Sequence, residues 1–412
     1  MTNFRIAIIG AGPAGCTLAK LLIQANIDVA LFERETSPDV RSQGGTLDLR
    51  INSGIAALRE AGLYEEFLKY ARFDGSALKV MDKQLNGYLS LPGEKEGSGS
   101  GRPEIDRKML RKLLYESLPP DTIRWGYRLM RVSDNLTLHF EQGDVSGFDL
   151  VVGADGAWSK VRPLLTDVQP QYALVSGFHF RISDAENRCP DLYKFVNRGS
   201  VFSYSDGHSL TLQQMGDGSL SCGEWATRDE TWDKIQGFDI NDSKAVKAFL
   251  LEEYHDWSPK LRHSVEMADD TSLVYRSLYM LPVGHSWENR PGVTLVGDAA
   301  HLTVPFAGEG VNLAMRDSMS LAHAIIEAEK QHSKAALITG VKSFEDDMFK
   351  RAKEVQQRSV GNMQDMFLTE GAPRTVIERF VTRSLQSQTG PILGTLVVIP
   401  VYLFYWFYKL VY

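Results

Sequence analysis

The sequence predicts a mixed α/β fold, with a parallel sheet and its helices built from separated stretches of chain and a β-rich layer inserted between them. Three observations predict it. The first stretch, Arg5 to Arg34, runs from an uncharged apolar segment (Ile6 to Ile9) through Gly10, Gly12 and Gly15 into a helical pattern carrying Leu18, Leu21 and Leu22. It closes with a second apolar segment, Val29 to Phe32, that ends in Glu33. Short uncharged runs of this kind fit strands buried on both faces. Second, two more such runs, 150–152 and 293–296, end in Gly153-Ala154-Asp155-Gly156 and Gly297-Asp298. Third, residues 171–281 alternate polar and apolar, as in Ser209-Leu210-Thr211-Leu212-Gln213, which reads as half-buried strands.

Each part of the opening has a physical task. Gly10 permits a tight turn, Gly12 lets a pyrophosphate approach the backbone, and Gly15 lets helix and strand pack closely. Pro13 and Ala14 complete that turn. The helix that starts there offers free N–H groups and partial positive charge to phosphate. Glu33, followed by Arg34, sits where a carboxylate can accept hydrogen bonds from ribose hydroxyls. An adenine dinucleotide is expected in a Rossmann-like domain, and the spacing leaves FAD and NAD both open.

Along the chain, a polar loop with Arg41 leads to Gly44-Gly45-Thr46-Leu47-Asp48, where paired glycines fit close approach to a flat ligand or a β-bulge. Residues 52–71 read as amphipathic helix broken at Gly62, 75–91 as short strands, and 93–101 as a flexible tip. A helix is expected from 103 onward with Leu110, Leu113 and Leu114 inward, Asp106 as its N-cap, and Arg107 in a first turn where a cation is disfavoured. A helix near 243–254 interrupts the β-rich layer. After Gly297-Asp298-Ala299-Ala300-His301 and Gly308-Glu309-Gly310-Val311-Asn312, long helices are expected through 326 and over 341–367.

With 412 residues, 43% of them hydrophobic, the chain is long enough for two domains. A net charge of −7 with no basic stripe argues against a nucleic-acid partner. Three unpaired cysteines (Cys16, Cys189, Cys222) favour a reducing, cytoplasmic setting, and no metal site is expected. The first strand begins so early that no secretory leader is expected before it. From Ser384 to Tyr408 no residue is charged. That tail reads either as association with the cytosolic face of a membrane through 391–412 or as a terminal helix packed on the protein and kinked at Pro400.

The turns GAGPAG (10–15), FER (32–34), GADG (153–156) and GDAAHLTVPFAGEGVN (297–312) together resemble the flavoprotein monooxygenases of the para-hydroxybenzoate hydroxylase type. SQGGTLDLR (42–50) and RPEIDRKMLRKLL (102–114), with the last of those turns, are more similar still to the tetracycline-inactivating flavin monooxygenases. The resemblance implies a discontinuous FAD domain of the glutathione-reductase type over 1–72, 100–170 and 285–340. It implies a substrate-binding β-layer over 73–99 and 171–284, and C-terminal helices over 341–390 ahead of the tail. By the same resemblance Asp298 would bind the ribityl or pyrophosphate part of FAD, and Gly308, Glu309, Gly310 and Val311 would give backbone contacts to the isoalloxazine. Asp48 and Arg107 would also contact FAD, Arg41 would lie on the NADPH route, and Asp155 would serve FAD and NADPH.

The implied reaction takes NADPH (NADH being the alternative) and O2. It hydroxylates or epoxidises a small apolar or aromatic molecule through the flavin C4a-hydroperoxide, in secondary metabolism or xenobiotic modification. No general base is assigned; His179 is the candidate. His179, Ser200, Phe202, Ser221 and Phe306 are expected in the substrate pocket, with Phe178, Phe180 and Trp225 as further apolar lining. His179, Ser200 and Ser221 align where tetracycline-active members use a glutamine, an arginine and a histidine, so a fork-shaped cation is lost and tetracycline is not the expected substrate. A flavin oxidase or dehydrogenase without oxygen transfer, or a non-catalytic flavoprotein, are the alternatives. Oligomeric state is left open.

Overall fold

The computed structural model describes residues 4–38, 44–94 and 102–411, with 387–395 described in backbone only. The chain forms two compact units: Met1–Ala71, Gly99–Gln171 and Tyr279–Gln357 in one, Arg72–Ser98, Tyr172–Leu278 and Arg358–Tyr412 in the other.

The first unit is organised by a five-stranded sheet in the order Val293–Leu295, Leu150–Gly153, Arg5–Ile9, Asp28–Glu33, Ile123–Trp125. Every pairing in it is parallel. Ile6, Ile8, Leu31, Val151 and Val293 have no exposed surface, which is why their strands carry no charge. Parallel pairing has a consequence for function. It puts the turns after Ile9, Glu33, Gly153 and Leu295 at one edge of the sheet, where open α/β sheets bind ligands. Helices Pro13–Gln24 and Gly310–Lys330 pack together, and Ser318 Oγ, 2.9 Å from its own Ala314 carbonyl, donates to the Ala14 carbonyl at 2.8 Å.

Two sequence expectations shift here. The helix expected from 103 begins only at Arg107, because Glu104–Asp106 is a strand paired antiparallel with Thr46–Asp48. Asp106 does occupy the N-cap position, but its side chain makes no capping bond.

The second unit holds a seven-stranded sheet in the order Val274–Met280, Gln171–Ile182, Leu220–Thr227, His208–Gln214, Ser200–Ser205, Leu78–Met81, Gly87–Leu91. Its strand alternation sends Phe178, Phe180, Cys222, Leu212 and Val201 into a core shared with the helices Pro190–Val196, Ser243–Glu253 and Pro259–Glu266. The 341–390 helices and the tail do not stand as bodies of their own: residues 358–412 group with this sheet. The tail is two helices, Ile377–Leu396 and Val398–Val411. Among the described residues no helix is long and apolar enough to cross a membrane.

Candidate functional site

The residues singled out in the first unit come together along its sheet edge, beginning with the glycine turn. Gly10 has φ of +104°, and a Cβ there would lie 2.4 Å from the Ala154 carbonyl oxygen. A Cβ on Gly15 would lie 1.9 Å from the Gly10 oxygen. Both positions therefore exclude side chains for packing reasons. Gly12 differs: a Cβ there meets nothing within 4 Å, so the space in front of it is open. Glu33, buried, accepts from Ala11 N at 2.8 Å through Oε2 and from Glu35 N at 3.1 Å through Oε1. Its carboxylate is thus held across the mouth of the glycine turn, while Arg34 beside it is exposed.

The short strand pair sets Asp48 opposite Glu104 and Arg107 beside Gly45, at the two ends of one ladder. Thr46 lies opposite Asp106, and Arg107 N donates to the Gly45 carbonyl at 3.1 Å. Burial above all holds the Asp48 carboxyl above the usual carboxylate range, against the opposing pull of Arg50. Arg50 pairs with Glu309 Oε1 at 2.8 Å and lies 3.7 Å from Asp48 Oδ2. Asn312, 2% exposed in the first turn of its helix, fastens this segment. Its Oδ1 accepts from Arg50 N, Ser53 Oγ and Gly54 N at 2.8, 3.1 and 3.3 Å, and its Nδ2 donates to the Asp48 carbonyl at 2.7 Å. Gly308 takes a left-handed φ of +65°, and beyond it a Cβ on Gly310 would again meet open space. The Gly308–Val311 turn therefore presents bare backbone beside Asp48 and Arg50.

The third part is a carbonyl clamp. Asp155 Oδ2 accepts from Lys160 N at 2.7 Å; burial pushes this carboxyl up, with Ser159, the Lys160 amide and Arg162 opposing. Arg162, 1% exposed, donates through Nε to the Ala299 carbonyl at 2.8 Å and through Nη2 to the carbonyls of Ala157 (2.8 Å) and Asp298 (3.3 Å). Arg162 thus binds its segment to the Asp298 turn, while Asp155 closes its own turn through Lys160 N and the Asp298 side chain is exposed. His301 makes a 2.6 Å hydrogen bond to Asp317 Oδ2, which also accepts from Gly297 N. His301 is accordingly a buried structural histidine. Arg50, Asn312, Arg162 and Asp317 were not singled out by their sequence context, though the first two end the segments TLDLR and GEGVN.

In the second unit, strand register puts His179, Gly223, Thr211 and Phe202 in one row, and Ser221, Gln213 and Ser200 in the next row of the same face. His179 Nε2 lies 2.9 Å from Ser221 Oγ, and Gln213 Nε2 donates to Ser200 Oγ at 3.3 Å. Trp225 shares this face, its indole so close over Gly223 that a Cβ there would lie 2.5 Å from Nε1. Phe178 and Phe180 do not line it. They alternate to the opposite face and are fully buried in the helix-covered core. Phe306 is half-buried in the turn Pro305–Ala307 of the first unit, and Arg41 lies outside the described residues.

An FAD fits what the first unit offers. Open space fronts Gly12 and Gly310, while Gly10 and Gly15, where a side chain would collide, seat the glycine turn tightly between them. A buried carboxylate, Glu33, ends the adjacent strand beside the glycine turn, and two helices of 12 and 21 residues point their N-termini at the same edge.

Comparison with known proteins agrees. The model of the family described as "FAD binding domain" matches residues 3–359. Monooxygenase penA of Penicillium thymicola is 30% identical, over 90% of this chain and 97% of its own length. Among solved structures, Klebsiella pneumoniae HpxO complexed with FAD and uric acid superposes with a TM-score of 0.74 at 18% identity, covering 96% of each chain. Tetracycline destructase Tet(51) has a TM-score of 0.68 at 18% identity, covering 96% of this chain and 98% of its own. These two likenesses show the fold.

Proposed function

The chain belongs to the FAD binding domain family, and on that premise we propose that it is a monooxygenase that takes electrons from NADPH and inserts one atom of O2 into a bulky, largely apolar small molecule. The observation that carries this reading is the open cradle formed by Gly12, Glu33, Asp298 and the Gly308–Val311 turn at one sheet edge. When bound there, FAD supplies the redox and oxygen-activating chemistry. The chain's own work is to bind and orient. Gly12 and the Pro13 helix receive the pyrophosphate, Glu33 the ribose, Asp298 the ribityl chain, and the bare backbone of 308–311 the ring system. Glu309 stays paired with Arg50, so its contribution to the ring is its backbone.

The substrate face we assign is formed by His179, Ser200, Phe202, Ser221 and Trp225, which stand in three adjacent rows on one face of the second unit's sheet. It mixes two aromatic rings with hydroxyl and imidazole groups, and Arg181, opposite Ser221, is paired with Asp217. A planar, largely apolar substrate with a hydroxyl or carbonyl fits this mixture.

The tail fits the same substrate class, and we assign it to the surface of a membrane. Val398–Val411 is inverted in polarity. Tyr405 Oη donates to the Tyr88 carbonyl at 2.9 Å, Tyr408 Oη bonds the Gly87 carbonyl, and Lys409 pairs with Glu378 at 2.6 Å. These three polar groups thus face the protein, while Ile399, Phe404, Trp406, Phe407 and Leu410 are more than half exposed. A helix of 14 residues is roughly 21 Å long, short of the roughly 30 Å hydrocarbon core, so it lies in the interface rather than spanning it.

The test is a screen of apolar aromatic and terpenoid compounds for NADPH consumption under labelled dioxygen. A product heavier by one labelled oxygen supports the reading. Substrate-stimulated NADPH oxidation with product that never carries the label would replace it with a flavin oxidase or dehydrogenase.

A further inference from the structure

The turn beside the isoalloxazine position is acidic. Glu309 stands at the N-cap of the Gly310–Lys330 helix, and Asp48 Oδ1 lies 3.5 Å from where a Cβ on Gly308 would be. A reduced flavin carries negative charge at its pyrimidine end, and two carboxylates there would oppose reduction, offsetting what the helix N-terminus contributes. Arg50 is the group that answers them. Its guanidinium lies 2.8 Å from Glu309 and 3.7 Å from Asp48, and its Nε is shut off from solvent without a hydrogen-bond partner. Its backbone N–H is held by Asn312 and its guanidinium by Glu309, and together they keep the cation beside the turn.

We propose that Arg50 is a positioning residue that sets the flavin's reduction potential, its fixed charge compensating Glu309 and Asp48 so that the reduced cofactor is accommodated. This rests on the reading of the Gly308–Val311 turn as the isoalloxazine seat. It assigns opposite signs to two neighbours. Removing the cation destabilises reduced relative to oxidised flavin, and removing its counter-ion at Glu309 does the reverse.

The experiment compares wild type, Arg50→Gln, Arg50→Lys and Glu309→Gln as purified holoenzymes, reading the two-electron midpoint potential by equilibration with a redox dye. FAD dissociation constants and Tm are measured on the same proteins. The expected result is a tenfold loss of preference for the reduced form in Arg50→Gln, a fall of about 30 mV. Arg50→Lys should recover most of that, and Glu309→Gln should shift the potential upward. If Arg50→Gln fails to retain FAD, the Glu309→Gln potential decides. A potential equal to wild type in Glu309→Gln, or in an Arg50→Gln protein that does retain FAD, with only Tm lowered, would make Arg50 a purely structural tie and overturn the proposal. A wild-type protein that takes up no FAD would instead remove the reading on which it rests.

Discussion

Replacing Asn312 by alanine should separate this site from the bulk of the fold. The side chain makes four hydrogen bonds, three accepted by Oδ1 and one donated by Nδ2, and all tie the Asp48–Gly54 segment to the start of the Gly310–Lys330 helix. Each is worth about 1 kcal/mol net, so the upper figure is about 4 kcal/mol. The position is 2% exposed, but the alanine leaves room for one water, which would restore part of that. We expect ~2–4 kcal/mol of lost stability in urea unfolding of the apoprotein and at least a tenfold weaker FAD dissociation constant by fluorescence titration. Asn312→Asp keeps an acceptor but loses the donor to the Asp48 carbonyl and adds a third carboxylate beside Glu309, so its FAD affinity should fall as well. A loss below about 1 kcal/mol with FAD affinity unchanged would show that the loop is held by other contacts.

The glycines give a paired test: Gly15→Ala, facing a backbone oxygen at 1.9 Å, should prevent folding or soluble expression, whereas Gly12→Ala, facing open space, should leave the apoprotein Tm unchanged and abolish FAD uptake. His208 supplies a pH signature. Burial alone would lower its pKa, but Glu253 and the Asp206 carbonyl outweigh that and leave it above the ordinary 6.5. Its contribution to stability is therefore complete below about pH 6.5 and is lost as pH rises through the folded-state value. Urea unfolding of His208→Gln from pH 6 to 9 should show a shallower decline than wild type over that interval. For the tail, combined Phe404→Ser, Trp406→Ser and Phe407→Ser changes should abolish co-sedimentation with phosphatidylcholine vesicles while leaving Tm within a degree or two, since all three side chains are more than half exposed. Retained sedimentation would assign membrane contact elsewhere, or nowhere.

What could be read in the sequence was local. The uncharged run Ile6–Ile9 announces a strand buried on both faces, and the glycine spacing announces its turn, because both depend on neighbours a few residues away. Alternation along Gln171–Ile182 likewise marks a strand, but it does not say which face meets the core. That is how Phe178 and Phe180 came to be expected beside Phe202, although they sit one register step away on the covered side. Long-range partners leave no such trace. Asn312 and Arg50 are 262 residues apart, and nothing in either segment names the other. The same holds for Arg228, enclosed by Glu224, Glu253 and the Trp232 ring, a buried charge cluster whose existence depends on depth that composition does not reveal. The tail is intermediate. Its lack of charge is plain in the sequence and Pro400 announces an interruption, which falls at Val397, but the inward turn of Tyr405 and Tyr408 is decided by the edge strand Gly87–Leu91.

The central claim is that turns drawn from both ends of the chain cradle one flavin, and an absorbance titration of apoprotein with FAD tests it most directly. One equivalent of FAD should bind, with the perturbed visible bands of an enclosed flavin, and excess NAD should not compete. Failure to bind FAD, or saturation of the same site by NAD alone, would contradict the account.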